Sequence, residues 1–322
     1  MPQAETLLRR ADGWLFGPED AQRLAAVRIG LCSLLALRLA ITDFGVVAGQ
    51  PAALFQPHFY MKLFERMPSP ETATALQICG IVAALLAAAG LALRASLPLA
   101  VGCSLILNGM LNSAGRVIVR DAVLTLCLLV LVACGPAAGE AWSLRGPVRR
   151  ALRSFRPGRG TEPSAAPQPG SRGGRFGWPV RTGMVTITFA YFFAALQKWR
   201  YSGLRWVTSG NLRWILYASS DGHAHPNRLA LFVADRPSLA HAVAGGSLLL
   251  ETSFPLVLFV PRLRWVLIAG VVAMHIGIRL AMGLDYSPQW LTVLIVFADW
   301  PAVVAWLRRS MTRVPAPWEA PG

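Results

Sequence analysis

The chain has 322 residues, of which 54% are hydrophobic and 15% are charged, and a typical soluble domain carries about 25% charged residues. An ordinary soluble fold is therefore excluded, although the net charge of +15 would indicate a nucleic-acid partner in a soluble protein. Here the arginines lie between apolar runs, where membrane orientation and anionic lipid explain them better, so we expect membrane lipid as a partner and no nucleic acid.

Apolar runs of roughly 20 residues recur without polar–apolar alternation, which predicts membrane-spanning helices. The predicted fold is an all-α integral membrane protein, a polytopic bundle of about eight transmembrane helices with interfacial helices on the outer side. This domain covers 22–307, between tails at 1–21 and 308–322. The predicted spans are Gln22–Val47, Ala75–Leu93, Leu97–Ala114, Asp121–Pro136, Arg181–Trp199, Leu239–Val260, Trp265–Gly283 and Pro288–Leu307.

Positive charge predicts the orientation of these spans. Sixteen arginines of the loops and tails fall on one side and nine basic residues on the other. We therefore expect a multi-pass protein of the cell membrane with both termini in the cytoplasm. The cytoplasmic loop 137–180 is rich in Pro, Gly, Ser and Arg, so it is predicted to be partly disordered, with a short basic helix over Leu144–Phe155. Spans two and three form a hairpin through a tight connection at Arg94–Ser96.

The outer segments are rich in aromatic residues. Gln50–Thr74 is predicted to contain a short interfacial helix, and Arg228–Ala234 another. Three tryptophans spaced by seven and eight residues would share one side of a helix if Gly203 did not interrupt it. They are Trp199, Trp206 and Trp214.

Ionisable side chains within spans cost about 2.5–3.5 kcal/mol each at mid-bilayer, so each requires a partner or a function. Glu251 falls near the middle of span six, and His275 near the middle of span seven. Lys198, one of only two lysines, ends span five on the outer side. Packed helices would hold the polar groups of the outer half around one water-accessible cavity. These groups include Lys198, Glu251, His275, Arg279, Asn108 and Asn112.

Structural explanations also exist for these residues. Lys198 could be a helix-end anchor, Asn112 an interhelical hydrogen-bonding residue, and Glu251 the buried partner of an arginine or lysine. In an enzyme, a desolvated Lys198 would act as a general base, with His275 shuttling the proton and Arg279 stabilising an oxyanion. In a transporter, Glu251 would carry protons. No histidine or cysteine pattern has metal-ligand spacing, so no metal site is predicted.

Three stretches carry a resemblance to a known family. AYFFAALQKWRYSGLRWVTSGNLRWIL places an aromatic span before Lys198, with Trp and Gly a few residues later. LLLETSFPLVLFVPRLRWVLIAGVVAMHIGIRLAMGLDYSPQWLTVLIVFADW has a Glu in one span, an Arg-rich short loop, and a His in the next. Their order resembles the vitamin K-dependent gamma-carboxylase-like family, whose bacterial members are called horizontally transferred transmembrane (HTTM) domain proteins. LNSAGRVIVRDAVLTLCLLVLVACGP resembles that family's span entered through a polar residue and ended by Pro.

The resemblance covers about 22–307 and implies a base at Lys198, because a lysine at that place deprotonates vitamin K hydroquinone on the lumenal side in the carboxylases. Two departures make glutamate carboxylation itself unexpected. Arg120 and Asp121 stand where the carboxylases have a histidine, and only fifteen residues follow the last predicted span, where the carboxylases carry a large extramembrane domain.

We therefore interpret the chain as an HTTM-type membrane protein with an outer-facing polar cavity. The candidate catalytic residues are Lys198, His275 and Glu251, and the candidate cofactor-binding residues are Arg279, Trp206 and Asn112. The residues do not identify a cofactor, although the resemblance indicates a quinone or hydroquinone. A quinone-linked or peptide-modifying enzyme is the favoured function. The alternatives are a maturation or export partner for a secreted peptide, of the sporulation-delaying-protein B type, and a proton-coupled transporter.

Overall fold

A computed structural model describes residues 2–114, 120–148, 172–221 and 227–312. These residues are almost entirely helical, with one two-residue antiparallel ladder between β1 (Glu19–Asp20) and β2 (Arg172–Gly173). The α-helices are α1 (Pro2–Leu15), α2 (Ala21–Ile41), α3 (Phe44–Ala48), α4 (Pro70–Ala88), α5 (Leu93–Ser113), α6 (Ala122–Cys134), α7 (Gly174–Tyr201), α8 (Arg205–Thr208), α9 (Asn211–Asp221), α10 (Arg228–Ala234), α11 (Pro237–Ser253), α12 (Leu256–Phe259), α13 (Pro261–Met282), α14 (Ser287–Phe297) and α15 (Trp300–Thr312).

Long apolar helices dominate the fold, which confirms the predicted all-α polytopic membrane bundle. Among the described residues, six helices are long and apolar enough to cross a membrane: α2, α4, α5, α6 with its 3-10 extension to Gly139, α7 and α13. A seventh is obtained if α14 and α15 are counted as one bent span. The prediction had about eight spans. Its sixth corresponds to α11, which has 17 residues and continues as α12 after a break at Phe254–Pro255.

Helix α2 is the central element of the bundle. It packs against α4, α6, α7 and α14, and Leu24, Leu31 and Leu35 on it are at most 2% exposed. Close packing depends on Gly30, because a Cβ there would lie 2.8 Å from the side chain of Ile295 on α14. The helix begins at Asp20, whose carboxylate caps it by accepting a hydrogen bond from the Gln22 amide.

Helices α2 and α7 begin on the same side of the bundle, because the β1–β2 ladder joins the residues that immediately precede them. Arg181 of α7 strengthens this junction by donating to the carbonyls of Trp14 and Gly17 and pairing with Glu19. The predicted start of this span at Arg181 is wrong by seven residues. Because Phe176 and Val180 are four residues apart and both buried, the helix extends back to Gly174 and shortens the predicted loop 137–180.

The predicted hairpin of spans two and three is present, but its turn lies before Arg94. The helices α4 and α5 are joined by Ala89–Ala92, and Gly90 has φ +76°. A glycine adopts this left-handed conformation without a Cβ clash, which ends α4 earlier than the apolar pattern indicates. Of the predicted basic helix Leu144–Phe155, residues 149–155 lie outside the described residues.

A buried arginine joins the ends of several elements near the start of α2. Arg28 is fully buried and donates to the carbonyls of Ala138 at 2.5 Å, Trp142 at 2.8 Å and Ala88 at 3.2 Å. A contact of 3.5 Å to the Ala141 carbonyl completes the set. Helix ends leave carbonyls without intrahelical partners. Arg28 therefore supplies donors to the end of α4 and to the segment that follows α6.

The eighth predicted span is not one straight helix. The axes of α14 and α15 meet at 81°. The chain leaves α14 through extended backbone at Ala298, and the Asp299 carboxylate then accepts from the Ala302 amide to begin a new helix. Because α14 has only 11 residues, it is about 16 Å long, roughly half the thickness of the hydrocarbon core.

The segments predicted to lie on the outer side form a cap beside the end of α7. Helices α8, α9 and α10 pack against α11 or one another, and the predicted short helix Arg228–Ala234 is confirmed as α10. Gly203, with φ +53°, separates α7 from α8, as its position indicated. A short interfacial helix was predicted within Gln50–Thr74. The chain there forms two short 3-10 segments instead, Ala52–Leu54 and Phe59–Leu63. Pro51 and Pro57 flank the first of them and stop a longer helix.

Candidate functional site

An ion pair between Lys198 and Glu251 joins the end of α7 to the end of α11. The lysine Nζ lies 2.7 Å from Oε1 and 2.5 Å from Oε2 of the glutamate, so the amine donates to both oxygens. The lysine side chain is 20% exposed and the glutamate side chain 9%. A neighbouring hydrogen bond of 3.0 Å from Trp199 Nε1 to Thr252 Oγ1 fixes the same helix ends in register.

The backbone explains why Lys198 lies where α7 ends. The amides of Ser202 and Gly203 both donate to the Lys198 carbonyl, and Gly203 takes the left-handed conformation that commonly ends helices. A cation in the last turn also interacts favourably with the helix dipole. The chain then turns back through α8, which brings the Trp206 ring to 5.0 Å from the lysine Nζ. The ammonium therefore lies between a carboxylate and an aromatic face.

Glu251 contacts the end of α7, at Lys198. The sequence had predicted the two residues at different depths, with Glu251 near the middle of its span and Lys198 at the end of its span. The first part of α11 passes along the cap, where a Cβ on Gly245 would lie 3.4 Å from Val207. Only the last turns of α11 reach α7. The structure therefore gives Glu251 a lysine partner, one of the two explanations that its position in the sequence left open.

A second buried pair lies on the same side of α7. The Tyr191 hydroxyl is 2.9 Å from His275 Nε2, and the two residues are 2% and 5% exposed. Tyr191 precedes Lys198 by seven residues, two helical turns, so both project from one face. Nδ1 of His275 is buried and has no hydrogen-bond partner in the described part of the protein. Phe254 packs on Tyr191 at 4.6 Å between ring centroids.

Sequence reasoning missed Tyr191. Its spacing of seven residues from Lys198 was a usable signal, because residues i and i+7 share a helix face. It also missed Tyr286, whose ring centroid is 5.3 Å from that of His275. Tyr286 lies in the α13–α14 connection, where no helical period applies.

Arg279 belongs to a different polar cluster. Its side chain is 65% exposed and lies 3.6 Å from Asp285. Asp285 also lies 3.5 Å from Arg38, which contacts Asp121 at 3.2 Å. This arrangement links the end of α2, the start of α6 and the α13–α14 connection. Partial burial would raise the pKa of Asp285, but hydrogen bonds from Ser287 and the charges of the two arginines hold that pKa below its ordinary value.

Asn112 is not brought to Lys198. It lies near the end of α5, where its amide donates to the Asn108 carbonyl at 2.9 Å, and α5 packs against α4 and α6. Of the six predicted site residues, the structure brings Lys198, Glu251 and Trp206 into contact. It places His275 beside Tyr191, two turns further back along the same face of α7. Two lie elsewhere, namely Arg279 and Asn112.

Apolar packing closes the site on the side that faces the start of α13. Phe254, Val257 and Val271 are fully buried there. On the other side, Lys198 is covered by Trp206 and retains partial exposure. Tyr191 and His275 are buried, so the partial exposure of this polar cluster is mainly at Lys198, beside Trp206. Within the described ranges, no group of three or more His, Cys, Asp or Glu side chains could hold a metal ion.

Comparison with known proteins does not assign the chain to a family. No family model, no curated protein and no solved structure matches it.

Proposed function

We propose that this protein is a membrane enzyme of the HTTM type, related to the vitamin K-dependent gamma-carboxylase-like proteins, in which Lys198 is a general base. The observation that carries the proposal is the Lys198 amine, bonded to both carboxylate oxygens of Glu251 and covered by Trp206. An anchoring lysine at a helix end would extend toward headgroups or water. This lysine is turned inward onto an acid.

The ion pair supplies a way to prepare the base. In a medium of low dielectric, the charged pair loses much of its advantage over the neutral pair of amine and carboxylic acid, because two charges are costly to desolvate. A base needs a neutral amine, and the Glu251 carboxylate, 2.5 Å from Nζ, is the group that would accept the lysine proton. The proton stays within the pair, so this step needs no external base.

The substrate class that the family resemblance indicates is a hydroquinone, which supplies an acidic hydroxyl when bound. Lys198 would accept the proton of that hydroxyl, and the face of Trp206 would stabilise the resulting ammonium. The Tyr191–His275 pair lies on the same side of α7, and the one donor not used within the pair would serve a developing oxyanion. In this role Tyr191 and His275 are positioning groups for charge, while Lys198 is the catalytic residue.

A base role predicts that Lys198→Ala abolishes catalysis without changing the fold. We expect the full chain in lipid nanodiscs to accelerate the oxidation of a reduced naphthoquinone by dissolved oxygen, because removal of the hydroxyl proton makes the hydroquinone a better reductant. Lys198→Ala should lower the rate about 10²- to 10⁴-fold, the usual contribution of a general base. Absorbance of the quinone product measures the rate.

Lys62→Ala is the matched control, since Lys62 is the only other lysine and is exposed on the cap side. It should retain the rate of the unmodified chain. Equal rates for Lys198→Ala and the unmodified chain would exclude the base role. A proton flux across sealed vesicles that depends on Glu251, without hydroquinone turnover, would favour the transporter instead. Turnover only in the presence of a peptide would identify the peptide as the substrate.

We further propose that the protein resides in the cell membrane with both termini in the cytoplasm. The start of α2 and the helix α15 lie at one end of the bundle, where the arginine-rich loops also begin, and cytoplasmic loops carry such an excess. A fluorescent-protein fusion at the C-terminus should fluoresce, and an alkaline phosphatase fusion there should be inactive. The same two reporters inserted after Asp235 should give the opposite results, and any other pattern would contradict the proposed topology.

A further inference from the structure

Helix α15 carries an apolar face that the rest of the described chain covers only in part. Val303, Trp306 and Leu307 on it are 37%, 61% and 40% exposed. On a helical wheel they fall with Trp300 on one side, and Arg308 and Arg309 fall on the other. The 81° bend after α14 turns this helix away from the direction of the spans. An amphipathic helix that leaves a bundle in this way fits the plane of a membrane interface.

Contacts between α14 and α2 show at which end of the bundle α15 lies. Asp285, just before α14, lies beside Arg38 near the end of α2, whereas Ile295 in α14 lies beside Gly30. The chain thus runs toward the start of α2 as it enters α15. Trp300 Nε1 donates to the Ile295 carbonyl at 2.7 Å and holds the first turn of α15 against α14.

The amphipathic helix α1 lies at the same end. Arg181 donates to carbonyls at the C-terminus of α1. The guanidinium of Arg181 lies 5.9 Å from the Trp14 ring centroid. Trp14 is nevertheless 40% exposed, and Phe16 is 53% exposed. Two tryptophan-bearing segments therefore project from one end of the bundle, as expected for groups that sit at the headgroup level of a bilayer.

Positive charge exceeds negative charge at this end. Glu19 is shared by Arg23 at 3.1 Å and Arg181 at 3.7 Å. Arg264 donates to the Val257 carbonyl, and among the described residues no carboxylate lies within ion-pair distance of it. Nε of Arg23 is buried without a hydrogen-bond partner in the described part of the chain. These three arginines are therefore matched by a single paired carboxylate, Glu19, among the described residues.

We propose that this end of the bundle is a binding surface for anionic phospholipid, with α15 lying in the leaflet interface. The exposed apolar side chains of α15 and α1 would enter the acyl region, and the arginines would contact lipid phosphates. This inference is independent of the chemistry proposed for Lys198, because the two surfaces lie at opposite ends of α7.

The test is lipid selectivity of the full chain. The protein is reconstituted in nanodiscs that contain phosphatidylcholine and phosphatidylglycerol in a 3:1 ratio, then released, and its retained lipids are counted by native mass spectrometry. We expect phosphatidylglycerol to be enriched over its share of the mixture. Arg308→Gln with Arg309→Gln should weaken the preference by up to roughly thirtyfold, since each basic residue near an anionic surface contributes a factor of about five. Arg308→Lys with Arg309→Lys should keep it.

The matched control is Arg200→Gln with Arg205→Gln, which removes two exposed arginines at the cap end. It should leave the enrichment unchanged. An equal loss in both double variants would mean that net charge alone sets the preference, and no loss in either would remove α15 from the surface. Both outcomes overturn the proposal.

A second test separates a lipid surface from a phosphate site. If inorganic phosphate at millimolar concentration displaces the phosphatidylglycerol while the apolar variant Trp306→Ser binds as before, the site recognises phosphate and not a lipid surface, and the proposal is wrong.

Discussion

Replacing Glu251 by Leu is expected to lower the free energy of unfolding by about 3 kcal/mol, at the lower end of the 3–5 kcal/mol seen when one partner of a buried ion pair is removed. The reason is that Lys198 would keep its charge in a largely apolar setting without an acceptor. The partial exposure of the lysine, 20%, limits the loss. Reversible unfolding in mixed micelles, followed by the fraction of denaturing detergent at the midpoint, measures the change.

The decisive comparison is the double variant Lys198→Met with Glu251→Leu. Because both charges are removed together, we expect it to recover most of the stability that Glu251→Leu alone loses, although it should remain inactive. A matched control is Glu140→Leu, since Glu140 pairs with Arg175, whose side chain is 62% exposed. Breaking that surface pair should change stability by less than about 1 kcal/mol. A double variant as unstable as the single one would contradict the buried-pair interpretation.

Arg28→Met is expected to be the most destabilising single substitution in the bundle, by about 3–5 kcal/mol. Each hydrogen bond from a charged donor contributes roughly 1.5–3 kcal/mol, and the substitution leaves several buried carbonyls without a donor. The methionine would also lie where the short contacts to Ala138 and Trp142 now place a guanidinium. Unfolding in the same mixed micelles measures the loss.

Arg94→Met serves as the control, because Arg94 is exposed in the first turn of α5 near the same end of the bundle. It should change stability by no more than about 0.5 kcal/mol. Arg28→Lys should fall between the two, because a single ammonium has fewer donors than the guanidinium fork and cannot reach carbonyls on three segments together. Equal stabilities for Arg28→Met and Arg94→Met would show that the carbonyls find other donors.

The sequence was sufficient to predict the class of fold because lipid permits so few structures. Long apolar runs must satisfy their backbone internally, which leaves helices as the only choice for runs that do not alternate. Turn residues predicted where the helices of the cap break, and α10 has the predicted bounds. The errors lie where apolar composition continues through a break, as at Gly90 and between α14 and α15. Hydropathy does not distinguish a straight helix from two that meet at an angle.

The site was only partly predictable for a different reason. The free-energy cost of placing ionisable side chains in lipid singled out Glu251, Lys198 and His275. The first two of these residues do contact each other. Pairing across helices depends on how far each helix projects past its neighbour, and a single sequence does not encode that offset directly. Arg279 illustrates the limit, since its spacing of four from His275 indicated a shared face, yet it extends to Asp285 while His275 turns inward.

The ladder between Glu19 and Gly173 has a consequence for how the protein is made. Its two strands are about 150 residues apart, so at synthesis rates of 5–20 residues per second the first strand waits roughly 8–30 s for the second. During that interval α2 has entered the membrane with Arg28 and Arg38, whose partners on α4, the segment after α6 and the α13–α14 connection are still being translated. Each unpaired arginine makes early insertion of α2 costly. Arg28 and Arg38 therefore gain their full set of partners only after the later helices have been made.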